Sequence, residues 1–196
     1  MKLGIFGGTF DPPHIGHRKA LENFISYPVL DKCVVTVTGT PPHKSFLRVV
    51  SDEDRLEMAR CAFGDLAQIS DLEIRRKGKS YTIDTIESFI KKCDELYLYM
   101  GSDMILNVEK VWSRFEDILK MCTVVVLSRT GDDFGCLTEH SHYLEARYGA
   151  KILLYKSEPF VVSSTQIRQM IKANGPYEQF LPDAVADYIK KKGLYK

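Results

Sequence analysis

Leu3-Gly4-Ile5-Phe6 runs directly into Gly7-Gly8-Thr9-Phe10-Asp11-Pro12-Pro13-His14-Ile15-Gly16-His17 at the start of this chain. A short apolar run ends in a double glycine, and a loop then leads to two histidines at the head of an amphipathic segment. Glycine carries no Cβ, so its backbone N–H groups can approach a ligand closely. A helix beginning after such a loop points its unpaired N–H groups and the positive end of its dipole at the same place, which suits an anion. Residues three apart share a face of a helical turn. The stretch therefore reads as a phosphate cradle with the His14 and His17 imidazoles directed into it. Gly7, Gly8, Thr9 and Phe10 form its backbone.

A nicotinamide-dependent oxidoreductase is excluded by the same residues. Its fingerprint needs G-x-G-x-x-G and an acidic residue ending the second strand. Here the glycine spacing differs, and the second apolar run, Cys33 to Val37, ends in Thr38-Gly39-Thr40.

The chain's 196 residues suffice for one domain of ordinary size with a real core. Its 44% hydrophobic and 27% charged content is that of a globular protein. A formal net charge of +1 supplies no bulk field to draw nucleic acid or a membrane surface, so neither is expected as a partner. Anion binding must then be local. The cysteines, at 33, 61, 93, 122 and 136, make no CxxC pair and no zinc spacing, so no protein metal site is expected. Most sit in apolar or amphipathic runs as small hydrophobes, which suits a reducing cytoplasm. Met1-Lys2 enters a strand without a leader pattern, and no apolar run reaches bilayer length.

Apolar runs fit buried strands at 3–6, 33–37, 69–74, 96–100, 123–127 and 151–155. Helical stripes lie between them: Leu21, Phe24 and Ile25; Leu56, Ala59 and Phe63 after a Ser51/Asp54 capping pattern; Ile83, Ile86, Phe89 and Ile90; and a weaker one over 137–148. This alternation predicts an α/β fold, a doubly wound Rossmann-like parallel sheet with helices on both faces. Two consecutive helices over 164–173 and 182–192 predict a small C-terminal helical part, about 161–196, on a core of about 1–160. No linker divides the chain, so residues 1–196 are expected to form a single domain.

Four further stretches carry chemistry. Val162-Ser163-Ser164-Thr165-Gln166-Ile167-Arg168 places N-capping hydroxyls before a helix and an arginine one turn on. That combination either clamps a phosphate tail or simply caps a helix. Pro41-Pro42-His43-Lys44 sets a lysine in a stiff loop beyond strand two, where it neutralises phosphate or is merely solvated. Thr82 is expected as the N-cap of the helix with the Ile83 stripe, with free N–H groups that could meet an anion. Trp112, the single tryptophan, lies in Val111-Trp112-Ser113-Arg114-Phe115, which reads as a short helix, and is either core or a stacking platform. Arg48 and Arg55 read as surface or helix charges.

His14-Ile15-Gly16-His17 resembles the signature of the nucleotidyltransferase superfamily that shares its core with class I aminoacyl-tRNA synthetases. The longer string Gly7 to His17 resembles the bacterial nicotinate-nucleotide adenylyltransferases of NAD biosynthesis. The 162–168 string is similar to that family's I-S-S-T-x-I-R motif, with Val162 in the isoleucine position. Pro41–Lys44 is similar to its P-x-H-K element, and Leu181-Pro182, Val185, Tyr188-Ile189 and Gly193-Leu194-Tyr195 to its ending, so the likeness runs the whole chain. The family's Arg-Pro-Gly appears here as Arg129-Thr130-Gly131, which leaves that loop's shape open.

The resemblance implies transfer of the adenylyl group of ATP to nicotinate mononucleotide, giving nicotinate adenine dinucleotide and pyrophosphate. It implies His14, His17 and Lys44 as catalytic residues. Gly7, Gly8, Thr9, Phe10, His17, Gly101, Asp103, Ser164, Thr165 and Arg168 are implied at ATP, with Ser164, Thr165 and Arg168 on its β- and γ-phosphates. Lys44, Tyr81, Thr82 and Trp112 are implied at the mononucleotide, with the Tyr81-Thr82 backbone on the nicotinate carboxylate and Trp112 stacked on the ring. Mg²⁺ is implied as cofactor, bound through ATP phosphates, with no protein ligand. Homo-oligomerisation is left open. A sister transferase acting on phosphopantetheine or a cytidylyl substrate would not be expected to show Tyr81-Thr82 and Trp112 in these contexts. A non-catalytic nucleotide sensor is disfavoured because both histidines and Arg168 are present.

Overall fold

The computed structural model describes residues 1–39, 49–128, 133–156 and 162–196. Chain order is β1 (Lys2–Gly8), α1 (Ile15–Ser26), β2 (Lys32–Val37), α2 (Asp52–Phe63), β3 (Gln68–Ser70), α3 (Leu72–Arg75), α4 (Thr82–Phe89) and β4 (Glu95–Gly101). Then come α5 (Ser102–Ile105), α6 (Val108–Val111), α7 (Phe115–Met121), β5 (Thr123–Leu127), α8 (Phe134–Tyr148), β6 (Lys151–Tyr155), α9 (Ser164–Lys172) and α10 (Asp183–Lys192). The strands form one parallel six-stranded sheet in the order β3-β2-β1-β4-β5-β6. Winding reverses between β1 and β4, so a crevice opens beyond their C-terminal ends.

Period-two alternation divides the strand residues between two cores. Phe6, Val35, Val37, Val125 and Leu127 pack on one face with residues of α1, α2, α9 and α10. Ile5, Val34, Leu98, Met100, Val124 and Val126 pack on the other with α4 to α8. Being apolar on both sides, these strands read as continuous hydrophobic runs.

The helix starts follow local chemistry. Ser51 Oγ accepts from Asp54 N–H at 3.1 Å to open α2, and Asp52, Glu53 and Asp54 complement its dipole. Ser163 and Gln166 close a reciprocal capping box at α9. The cap is thus Ser163, which places Ser164 and Thr165 inside the first turn. The expected strand over 69–74 is shorter: pairing stops at Ser70, and a helical turn takes Leu72 to Arg75. Ser70 Oγ accepts the Leu72 N–H at 3.3 Å, a local bond that competes with the ladder. Thr82 is the first helical residue of α4 rather than its cap; Tyr81 occupies the cap position with no side-chain bond. Trp112 also differs from its expected helix. It is the extended residue ending α6, and Arg114, in the left-handed region, then opens α7.

Candidate active site

The loop after β1 is folded over its own aromatic ring. Phe10, at φ 50°, turns its side chain under the glycines, 2% exposed. The ring stacks against Phe6 and meets Phe63 and His17 edge-on. A Cβ on Gly8 would lie 2.5 Å from that ring, so only glycine fits there. Phe10 can therefore offer a ligand only its backbone.

His14 caps α1 and His17 answers it. His17 N–H donates to His14 Nδ1 at 3.3 Å, and His14 N–H donates to His17 Nδ1 at 3.2 Å. The rings lie with centroids 3.7 Å apart. Histidine thus fills both places of a capping box usually held by Ser or Thr and Glu or Gln. Because each Nδ1 accepts, the neutral tautomer carries its proton on Nε2. Two imidazole donors are held side by side at a helix N-terminus.

Distant side chains fix the loop between the glycines and the histidines. Arg55, wholly buried, donates to the Thr9 carbonyl at 2.8 Å and to Asp52 Oδ1 at 2.7 Å. Arg168 donates to the Asp11 carbonyl at 2.7 Å and to Thr165 Oγ1 at 3.1 Å. Ser164 Oγ donates to the Pro12 carbonyl at 2.8 Å. Tyr195, near the C-terminus, donates to Asp11 Oδ1 at 2.7 Å, and the Val49 N–H reaches Asp11 Oδ2 at 3.4 Å. Burial first, then the charge of Asp11, pushes the Tyr195 phenol far up, so it stays protonated as a donor.

A cavity of about 260 Å³ is lined along one wall by Gly7, Gly8 and Thr9. Ile5, Leu98, Met104, Val111, Trp112 and Ile118 give it apolar walls, with room for a substituted aromatic ring. Its polar wall is tied together by Glu73, which is buried. Glu73 Oε1 accepts from the Thr85 hydroxyl at 3.0 Å and Oε2 from the Gly39 N–H at 3.4 Å. The Ser80 hydroxyl reaches the Glu73 backbone carbonyl at 3.4 Å, and Arg76 donates to Thr85 Oγ1 at 3.0 Å. Burial pushes the Glu73 carboxyl above its ordinary range. Tyr81 and Thr82, at the head of α4, line the same cavity.

The expected residues thus fall into two adjoining groups. Gly7, Gly8, Thr9, Tyr81, Thr82 and Trp112 surround the cavity, while His14, His17, Ser164, Thr165 and Arg168 gather about the loop that leaves it. Gly101 ends β4 and Asp103 lies in the first turn of α5, exposed, next to the cavity residue Met104. Lys44 lies outside the described residues, as does the Arg129–Gly131 loop. Among the described residues, no three His, Cys, Asp or Glu side chains form a metal-holding cluster, and no helix is long and apolar enough to cross a membrane.

Sequence reasoning missed Arg55, Asp11, Tyr195 and Glu73. Arg55 is no surface charge: it sits on the buried stripe of α2 with Met58, Ala59 and Ala62, and a cation at i in an i, i+3, i+4, i+7 apolar pattern was the available signal. Glu73 and Tyr195 gave no such signal, since their partners are brought to them by the sheet and by the chain's return.

A family model described as Cytidylyltransferase-like matches residues 5–170. A probable nicotinate-nucleotide adenylyltransferase of Clostridium botulinum (strain Alaska E43 / Type E3) is 35% identical over 197 residues, covering 100% of this chain and 98% of that protein. A second, of Caldicellulosiruptor saccharolyticus, is 35% identical over 198 residues and covers 100% of both. A third, of Thermoanaerobacter sp. (strain X514), is 36% identical over 201 residues, covering 100% of this chain and 95% of that protein. Among solved structures, the Plasmodium falciparum nicotinic acid mononucleotide adenylyltransferase complexed with NaAD superposes with a TM-score of 0.79 over 99% of this chain and 97% of that one. At 18% identity that likeness speaks for the fold.

Proposed function

This chain belongs to the nicotinate-nucleotide adenylyltransferases of the cytidylyltransferase-like family, and from that membership we propose how its site works. The enzyme transfers the adenylyl group of ATP to nicotinate mononucleotide, forming nicotinate adenine dinucleotide and pyrophosphate in NAD biosynthesis. A phosphate oxygen of the mononucleotide attacks the α-phosphorus of ATP; the bond from that phosphorus to the β-phosphate bridging oxygen breaks, and pyrophosphate leaves. No enzyme nucleophile takes part, so the rate comes from positioning and charge stabilisation.

One observation carries the reading. Gly7, Gly8 and Thr9 line the ring-sized cavity and continue into the loop that ends at the paired histidines. A pyridine ring seated by Trp112 and the Tyr81-Thr82 backbone would hold its phosphate at the cavity mouth, beside His14 and His17. His17 donates from Nε2 to the α-phosphate as negative charge builds there, and His14 orients the phosphates and the leaving group. Ser164, Thr165 and Arg168 take the β- and γ-phosphates. Gly101 and Asp103 are read at a nucleotide ribose, and Lys44 beside the reacting phosphates.

A divalent cation, proposed to be Mg²⁺, would lower the charge of the ATP phosphates and would be held through phosphate and water, with no residue of this chain assigned to it. The loop's imidazole and guanidinium donors suit phosphate rather than metal. We place the reaction in the cytoplasm, where unbridged cysteines persist; all five are free thiols. We also read residues 1–196 as one domain, because Ile167, Val185 and Ile189 share a core with Phe6 and Val35. Incubation with ATP and a panel of mononucleotides and other phosphate acceptors tests the function. Release of pyrophosphate with nicotinate mononucleotide is expected, and release only with a different acceptor would overturn it.

A further inference from the structure

Trp112 sits on a bend of the chain, extended between α6 and α7, and lines the cavity. A helix as short as α6 does not hold itself in place, so neighbouring elements must fix the bend. The backbone asks for the same support: Arg114, two residues on, lies at φ 55°, a conformation that a residue other than glycine keeps only where its surroundings impose it. One side chain of α8 touches the bend on both sides of Trp112. Tyr148, the last residue of α8, donates its hydroxyl to Glu109 Oε1 at 2.6 Å, three residues before Trp112. Its ring meets Phe115 edge-on, three residues after Trp112, with centroids 5.1 Å apart. Tyr143 of the same helix donates to the same Glu109 oxygen at 3.1 Å. The Tyr148 hydroxyl, with that of Tyr143, holds the Glu109 carboxyl below its usual range, so both bonds end on a charged acceptor. Toward α4 the bend is tied only by Arg114 and Glu87, a half-exposed ion pair of the kind that contributes little. Tyr148 is half-buried and packs against the second core together with Trp112 and Phe115.

We propose that Tyr148 is a positioning residue for Trp112: its hydroxyl on Glu109 and its ring on Phe115 brace the bend and set the angle at which the indole meets the ring of the mononucleotide. This rests on the adenylyl-transfer reading above. Tyr148, Glu109 and Phe115 are not among the residues lining the cavity, so the brace acts through Trp112 and not on the substrate. Aromatic stacking depends on the offset and tilt of the two rings. A bend released at either side therefore keeps its indole but holds it less well aligned. The paired histidines and α9 lie in the other group of site residues, so the effect falls on the mononucleotide and spares ATP.

Trp112 is the only tryptophan of the chain, so its selectively excited fluorescence reports this bend alone. Tyr148→Leu removes both contacts, Tyr148→Phe removes only the hydroxyl, and Glu109→Gln keeps an oxygen that accepts from the tyrosines. For each, acrylamide quenching of Trp112 in the free protein is measured with steady-state constants for nicotinate mononucleotide and ATP, well below the melting temperature. The expected result for Tyr148→Leu is a KM for nicotinate mononucleotide raised about three- to tenfold, the scale of one aromatic contact. The KM for ATP and kcat stay unchanged, and Trp112 is quenched more readily. Tyr148→Phe moves the same way by less, and Glu109→Gln stays near wild type. In a Trp112→Ala background Tyr148→Leu adds no further loss, because the two residues act as one unit. An unchanged KM for nicotinate mononucleotide in Tyr148→Leu, or in Tyr148→Phe should the leucine variant not fold, overturns the proposal. So does a raised KM with unaltered quenching, or one that persists in the Trp112→Ala background, or equal impairment with both substrates, which marks a merely structural tyrosine. Wild-type protein that releases no pyrophosphate from these substrates removes the underlying function and the brace with it, whereas an active wild type with indifferent Tyr148 variants removes the brace alone.

Discussion

The guanidinium of Arg55 reaches from the buried face of α2 to the backbone carbonyl of Thr9, 2.8 Å away, and so ties a helix of the sheet's outer layer to the middle of the loop after β1. Its other amino group holds Asp52, which is partly exposed. Replacing Arg55 by methionine keeps much of the apolar stem but leaves the Thr9 carbonyl unpaired. A buried unsatisfied acceptor costs about 1–3 kcal/mol. The variant should unfold at lower denaturant by that amount and turn over more slowly, since the loop carrying the histidines loses one of its ties. Normal stability with normal turnover would show that the loop is held adequately without Arg55.

His17 Nδ1 completes the α1 cap, and the proposed mechanism gives its Nε2 a second duty at the α-phosphate. His17→Gln separates them, because glutamine in that position of a capping box still accepts the cap N–H. Turnover should fall on the order of 10²–10³, equivalent to roughly 3–4 kcal/mol, as for removal of one donor aimed at developing charge. The melting temperature and ATP affinity should hardly move. Turnover near wild type in this variant would show that His17 is only a capping residue.

Arg168 donates to the Asp11 carbonyl and sits one turn after Ser164, which donates to the Pro12 carbonyl. Arg168→Ala should raise the KM for ATP through loss of charge-assisted contacts to its phosphates. The KM for nicotinate mononucleotide should change little. Weakened mononucleotide binding with ATP affinity intact would mean that the two subsites are exchanged.

The tyrosines of the C-terminal region give the fold an alkaline weakness. Burial and the charge of Asp11 raise the Tyr195 phenol; burial and Asp54 push Tyr188 up to about 12. In the unfolded chain a tyrosine ionises near pH 10. Above that pH the unfolded state gives up a proton that the folded state keeps, so stability is intact below about pH 10 and falls as pH rises beyond it. The slope from Tyr195 alone approaches about 1.4 kcal/mol per pH unit. Unfolding midpoints between pH 8 and 11 should show the decline, and Tyr195→Phe should be less stable at pH 8 yet flatter. An equal slope in the variant would place the titrating group elsewhere.

The strands that became legible were those buried on both faces. The runs 123–127 and 151–155 coincide with β5 and β6: Val124–Leu127 is buried, and the edge strand β6 stays apolar after the exposed Lys151 because Leu153 and Tyr155 pack on one core and Ile152 and Leu154 on the other. The run 69–74 misled for a physical reason: Leu72 and Ile74 are apolar in either conformation, and the choice was made by Ser70 and by the bonds Glu73 gains when a helical turn brings it inward. The His14/His17 pair was visible from its spacing, but not that each ring accepts the other's N–H. Tyr195 and Asp11 are 184 residues apart, and Arg55 and Thr9 are 46 apart. Neither pair leaves a local pattern, so the scaffold holding the loop emerges only from three-dimensional packing.

Acceptor choice follows from the donors around the cavity. The head of α4 carries no side-chain cap beside Tyr81 and Thr82, and the Thr85 hydroxyl and Gly39 N–H are turned to Glu73. A carboxylate only accepts, so it pairs with N–H donors at a helix start and gains from the dipole. A carboxamide places its own NH₂ against one of those donors. That leaves the donor unpaired at a cost of about 1–3 kcal/mol. The acceptor that could rescue an amide is Glu73, whose oxygens already accept from Thr85 and Gly39 and would have to share themselves with the amide NH₂. Nicotinate mononucleotide should therefore be preferred over the nicotinamide form by at least roughly tenfold in kcat/KM. Glu73→Gln gives an internal control. Its amide cannot accept from both Thr85 and Gly39 N–H through oxygen, so the wall loosens, and both acceptors should suffer while the ratio between them shrinks. Comparing the two specificity constants at saturating ATP decides the matter. Equal constants in the wild type would sink the carboxylate assignment at α4 while leaving adenylyl transfer intact.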